Sequence, residues 1–144
     1  MDIFFNTIEI NDETRVYPVT PMTDEDKHIA ALSILGLQQE IFRQNVAMGW
    51  WDEGKQRRPA ESLCLIHSEI SEAMEGLRKN LMDDHLPHRK MVEVELADGI
   101  IRILDLAHSL GLDVGEAMVE KLAYNATRAD HQREHRDSEN GKKF

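Results

Sequence analysis

Two short spacings carry the first chemical information in this 144-residue chain: Glu69-Ile-Ser-Glu72 and, further along, Glu95-Leu-Ala-Asp98. Residues three apart share one face of a helix, so each pair presents two carboxylates side by side. If the two helices are neighbours, four negative charges meet, repelling by about 4 kcal/mol per close pair at an effective dielectric constant of about 20. A divalent cation relieves that repulsion. An oxygen-only ligand set favours a hard ion, Mg²⁺ or Mn²⁺, over zinc. Magnesium keeps positions open for water and phosphate, which points to phosphoryl chemistry. The alternative is that both pairs are solvent-facing charges of amphipathic helices, and the spacing alone leaves the two readings open.

Helices must position these groups, and the punctuation of the chain supplies four. Thr23 with Asp26 makes a capping box for a first helix running to about Ala47. A polar loop opened by Gly49, Trp50 and Trp51 leads to Pro59, well placed in the first turn of a second helix reaching about Asn80. "MDDHLPH" breaks that helix, Pro87 prefaces a third, and Gly111 closes it as a C′ glycine. Asp113 with Glu116 caps a fourth, to about Ala129. Residues 1–22 alternate loosely, as a hairpin or an extended arm, residues 23–130 form the helical domain, and 131–144 lack apolar periodicity and read as a tail. The predicted fold is an all-α four-helix bundle.

Projection at 100° per residue gives the second helix an apolar arc of Leu63, Ile66, Ile70, Ala73, Met74 and Leu77, with Glu69 and Glu72 at its edge. The third helix has a wide apolar face of Val92, Leu96, Gly99, Ile100, Ile103, Leu106, Ala107 and Leu110. Glu95, Asp98, Arg102 and Asp105 form one narrow stripe on it. Arg102 is expected to pair with Asp105 or Asp98. Such wide apolar surfaces favour obligate association, as a homodimer or homotetramer.

Composition narrows the partners. The net charge of −10 speaks against a nucleic-acid footprint, which wants a basic face. One cysteine, Cys64, excludes an intramolecular disulfide and fits a reducing cytoplasm. No apolar run is long enough for a membrane span, and no leader signature opens the chain.

The ordered motifs resemble the all-α nucleoside triphosphate pyrophosphohydrolases of the MazG type. This family includes the dimeric dUTPases, the dCTP pyrophosphatases and phosphoribosyl-ATP pyrophosphatase. The resemblance rests on Glu69-x-x-Glu72 and Glu95-x-x-Asp98, on "LIHSEISEAMEG" and "ELADGIIRILDLA", and on Lys121, Asn125 and Arg128 downstream. "GWWDEG" and the terminal "GKKF" look like the phage and bacterial branch, and the likeness spans roughly residues 35–144.

The resemblance implies hydrolysis of a (d)NTP to the monophosphate and pyrophosphate. Glu69, Glu72, Glu95 and Asp98 would hold Mg²⁺, with Mn²⁺ as its substitute, and Glu69 or Glu72 would position the attacking water. Lys121, Asn125 and Arg128, on one helical face, suit phosphate oxygens. Their bland reading is cations placed favourably late in a helix. Gln38, Asn45, Trp50 and Trp51 offer the amides and aromatic faces a nucleobase pocket wants; guanine nucleotides are the expected substrates. Two other functions stay open. One is a carboxylate-bridged di-metal bundle, for which the Glu-x-x-His pairs are missing apart from a lone Asp105-x-x-His108. The other is a non-enzymatic acidic interaction module.

Overall fold

The computed structural model describes residues 5–10, 13–18, 22–55, 57–128, 130 and 135, so nearly all of the tail expected over 131–144 lies outside the described residues. An antiparallel hairpin of β1 (Phe5–Ile10) and β2 (Glu13–Pro18), with Phe5 opposite Pro18 and Ile10 opposite Glu13, precedes the helices. The body is all-helical: α1 (Asp24–Ala47), α2 (Pro59–Lys79), α3 (Met91–Ser109) and α4 (Val114–Thr127). No helix among the described residues is long and apolar enough to cross a membrane.

Local chemistry accounts for the boundaries. At the start of α1, the Asp26 amide donates to Thr23 Oγ1 at 3.1 Å while Asp26 Oδ2 accepts from the Thr23 amide at 3.0 Å, satisfying donors that a helix start leaves orphaned. Asn80, with φ of 51°, ends α2 in the left-handed region that asparagine tolerates. Gly111 follows α3 with φ of 68°, in the C′ role the sequence assigns it. At α4, Asp113 Oδ1 accepts from the Glu116 amide at 2.9 Å. The start of α3 departs from expectation, falling at Met91 rather than just after Pro87. The intervening loop is closed by its own bonds, Asp83 N–H to Arg89 O at 3.0 Å and Arg89 N–H to Leu86 O at 2.8 Å, which hold residues 83–89 out of the helix.

The packing order is α2, α3, α1, α4: α3 lies against both α2 and α1, and α4 against α1. Small residues allow the closest approaches. A Cβ at Gly76 would meet the Met91 side chain at 2.9 Å, and one at Gly115 would overlap the carbonyl oxygen of Ala31. Gln38, buried in α1, ties that helix to the turn before α4 by donating from Nε2 to Leu112 O at 2.7 Å. The buried apolar side chains are Ala31, Ala73, Leu104, Leu106 and Ala107, a modest core for four helices. From the two arcs read in the sequence, Leu63, Ile70, Met74, Leu77, Leu96, Ile100, Ile103 and Leu110 stay 40–69% exposed.

Candidate metal centre

The α2–α3 seam has two sides. Projected at about 100° per residue, Ala73 and Gly99 are the central contacts, with Glu69, Glu72, Glu95, Asp98 and Arg102 to one side. Ile70, Leu77, Leu96 and Ile103 fall on the other. The helices are antiparallel: Gly76 abuts Met91, and Glu69 Cβ lies 3.8 Å from where a Gly99 Cβ would stand. That register sets the two acid pairs against each other. α1 packs on α3, and the segment after it reaches the acid side through Trp51, whose indole meets Asp105. Glu69 is 5% exposed and Glu95 8%, Asp98 is half-buried, and an oxygen from each can be taken within 4.8 Å of the others. The solvent-face alternative therefore fails for Glu69 and Glu95. Glu72 is exposed and lies outside this group of three, though its charge reaches Glu95.

Burial and mutual repulsion raise the proton affinity of Glu95 and Asp98. Glu95 is pushed up to about 7, first by desolvation, then by the Glu72 charge, a hydrogen bond shared with Glu69, and the Glu69 and Asp98 charges. Asp98 is raised by desolvation and by Glu69, with Arg102 opposing, Asp83 adding and His85 opposing. Asp83 is a participant that sequence reading missed, since "MDDHLPH" signals only a helix break. It is buried, and its Oδ1 accepts from the His85 and Leu86 amides at 3.0 and 2.6 Å.

Arg102 does not pair with Asp105 or Asp98 as expected. Its Nε lies 2.7 Å from Glu69 Oε1. Asp105 is engaged instead by the Trp51 indole, which donates to its Oδ1 at 3.1 Å. The Arg102 Nε is buried and makes no aligned hydrogen bond, so its attraction to Glu69 is chiefly Coulombic. Oxygen-only donors, close spacing and a cation already drawn onto one carboxylate fit a hard divalent ion.

A cleft of about 280 Å³ adjoins the cluster, with Asp98 belonging to both. Asn45, Trp50, Arg57 and Ser62 line one part of it, and Arg102 and Asp105 stand beside Asp98. The Arg57 guanidinium lies over the exposed Trp50 ring, 5.0 Å from its centroid. Of the four residues read as base contacts, Asn45 and Trp50 reach this cleft. Gln38 is engaged with Leu112, and Trp51 packs on Phe42 with ring centroids 5.4 Å apart. Arg57 and Ser62 were not legible as cleft residues, because nothing local separates them from ordinary polar positions near a helix start.

The basic group sits elsewhere on the fold, on α4 and just beyond it. Lys121 Nζ lies 4.7 Å from the Tyr124 ring centroid, Asn125 Oδ1 is buried without a hydrogen-bond partner among the described residues, and Arg128 pairs with Asp130 at 2.6 Å. Comparison of the chain with protein families, with curated proteins and with solved structures returns no match.

Proposed function

We propose that the protein is a divalent-metal-dependent nucleoside triphosphate pyrophosphohydrolase of the MazG-like type. It would convert a (d)NTP to the (d)NMP and pyrophosphate, with guanine nucleotides the first candidates. The observation that carries this reading is a group of three carboxylates, Glu69 and Glu95 buried and Asp98 half-buried, whose Asp98 also lines a cleft that presents an aromatic ring and an amide. Keeping Glu69 and Glu95 buried costs folding energy, and a ligand ion is the simplest return for that cost.

Mg²⁺ bound there would neutralise phosphate charge and lower the pKa of a bound water. Glu69, Glu95 and Asp98 would hold it, and Glu95 must lose its proton to do so, since coordinating carboxylates bind ionised. Glu72, exposed and near enough for its charge to reach Glu95, is free to take the proton of an attacking water. Trp50 offers a face for stacking and Asn45 an amide for a base edge, so the base occupies the cleft while the phosphates reach Asp98. A second copy of the chain covers the open apolar side of α2 and α3, giving a homodimer or a homotetramer built from it.

The test is incubation of purified protein with each (d)NTP and Mg²⁺, separating the products by chromatography. Monophosphate and pyrophosphate are expected, and none without the metal. Diphosphate and orthophosphate would contradict the reading. The exposed apolar side favours one other role, a non-enzymatic interaction module, which predicts no turnover and no response to Mg²⁺.

A further inference from the structure

We propose that Arg102 is a displaceable countercation: it holds Glu69 in the metal-free protein and surrenders it when a divalent ion enters. This inference rests on the metal-centre reading above. Arg102 Nε is 2.7 Å from Glu69 Oε1, the same carboxyl that joins Glu95 and Asp98 in the group of three. An ion bridging those three would stand where the guanidinium now neutralises Glu69, and two cations cannot share one desolvated oxygen cheaply.

The contact is built to yield. Nε lies close to the oxygen but makes no aligned hydrogen bond, so leaving forfeits Coulomb attraction rather than a bidentate fork. Arg102 is also only partly enclosed, its side chain 38% exposed against 7% for Glu69. It has somewhere to go, because it already lines the cleft beside Asp98 and Asp105. Once released it is a second positive group on the cleft wall, placed for an anionic part of a metal-bound ligand. Arg102 is thus a positioning residue for Glu69 before the ion arrives, and a ligand-facing residue afterwards.

The Arg102 Nε–Hε resonance, identified by its loss in Arg102→Lys, reports the pairing directly. Titrating the full chain with Mg²⁺ should move it to a freer, faster-exchanging position over the range in which the Glu69 and Glu95 carboxyl carbons shift. If the carboxyl carbons shift while the Arg102 signal stays fixed at saturating Mg²⁺, the countercation proposal is overturned and the metal centre stands. If neither responds, the metal centre falls and the proposal with it. Arg102→Gln gives a second readout. Freed of the competitor, it should bind Mn²⁺ about tenfold more tightly in the absence of nucleotide, the scale of one lost charge-assisted contact. Arg102→Lys, which keeps the charge but shortens the reach, should fall between. Equal Mn²⁺ affinity in all three proteins contradicts displacement.

Discussion

On one side of the α2–α3 seam the chain buries Glu69 and Glu95; on the other it leaves Ile70, Met74, Leu77 and Ile100 open to solvent. Both arrangements run against what folding alone prefers, and they are the two kinds of observation that carry information. Burying Glu95 beside Glu69, with Arg102 drawn onto Glu69, strains the fold from within. Half-exposed apolar side chains along both helices are the kind of surface that a partner covers. On the function proposed above, the two sides differ in the partner each would take: an ion among three oxygens on the acid side, a second copy of the chain on the apolar side. Each side can be broken without the other.

The largest effect is expected on the acid side. Glu95→Gln keeps the shape and removes a ligand charge, so nucleotide hydrolysis should fall by at least about a thousandfold, as when a group acting at the transition state is lost. Helical circular dichroism should be unchanged. A variant retaining a tenth of the activity would take Glu95 out of the site. Glu72→Gln sharpens the assignment, because an exposed residue outside the group of three should cost less in Mg²⁺ affinity than in turnover.

Next in size is the apolar side. Leu77 is 69% exposed, so Leu77→Asp should hardly perturb an isolated chain. If a second copy covers that face, a charge buried there should dissociate the assembly, read as a drop in mass by light scattering at micromolar concentration. An unchanged mass with intact helicity would mean that the face stays in water.

A smaller effect, specific to the acid side, is the pH dependence of metal-free stability. Folded Glu95 holds its proton to about 7 against an ordinary value of 4.5, so the folded state binds that proton more tightly than the unfolded one. The resulting contribution is whole below about pH 4.5 and is lost as pH rises through 7, amounting to about 3 kcal/mol. Thermal unfolding without metal should show the melting temperature declining across that window. Glu95→Gln should flatten the decline, and saturating Mg²⁺ should offset it at the alkaline end. A melting temperature that climbs steadily from pH 5 to 8 without metal would contradict the burial of Glu95.

The smallest effect concerns the cleft. Trp50→Ala should change the ranking of the four dNTPs by about tenfold between best and worst, since one stacking face is worth about 1–3 kcal/mol. Arg128→Ala, away from the cleft, should leave that ranking unchanged. The reverse pattern would move the base out of the cleft.

Much of this was legible in the residues, and the reasons are local. Thr23 with Asp26, Asp113, Pro59 and Gly111 fix helix ends through chemistry within a few residues, and the helices begin or end where those signals stand. The i,i+3 acid pairs were visible for the same reason. What faces inward was not, because α3 is apolar over most of its circumference and periodicity cannot choose between two greasy sides. The partner of Arg102 was hidden because it lies on another helix, and Asp83 because its burial depends on a loop closing on itself. Trp51 read as a base contact since an indole looks the same whether it meets a ligand or Asp105.

The close abutment of Gly76 on Met91 also bears on how the gene for this chain can change length. Between Glu69 and Asp98 the helical stretches act as a gear train: one residue inserted between Glu69 and Gly76 turns everything upstream by about 100°, carrying Glu69 off the acid side. The same insertion between Asn80 and Lys90 turns nothing, because that segment lies outside both helices and is closed by its own backbone bonds. Insertions and deletions should therefore be tolerated in that loop and purged from the helices on either side, so that the interval between Glu72 and Glu95 can drift in length while the spacing inside each acid pair cannot.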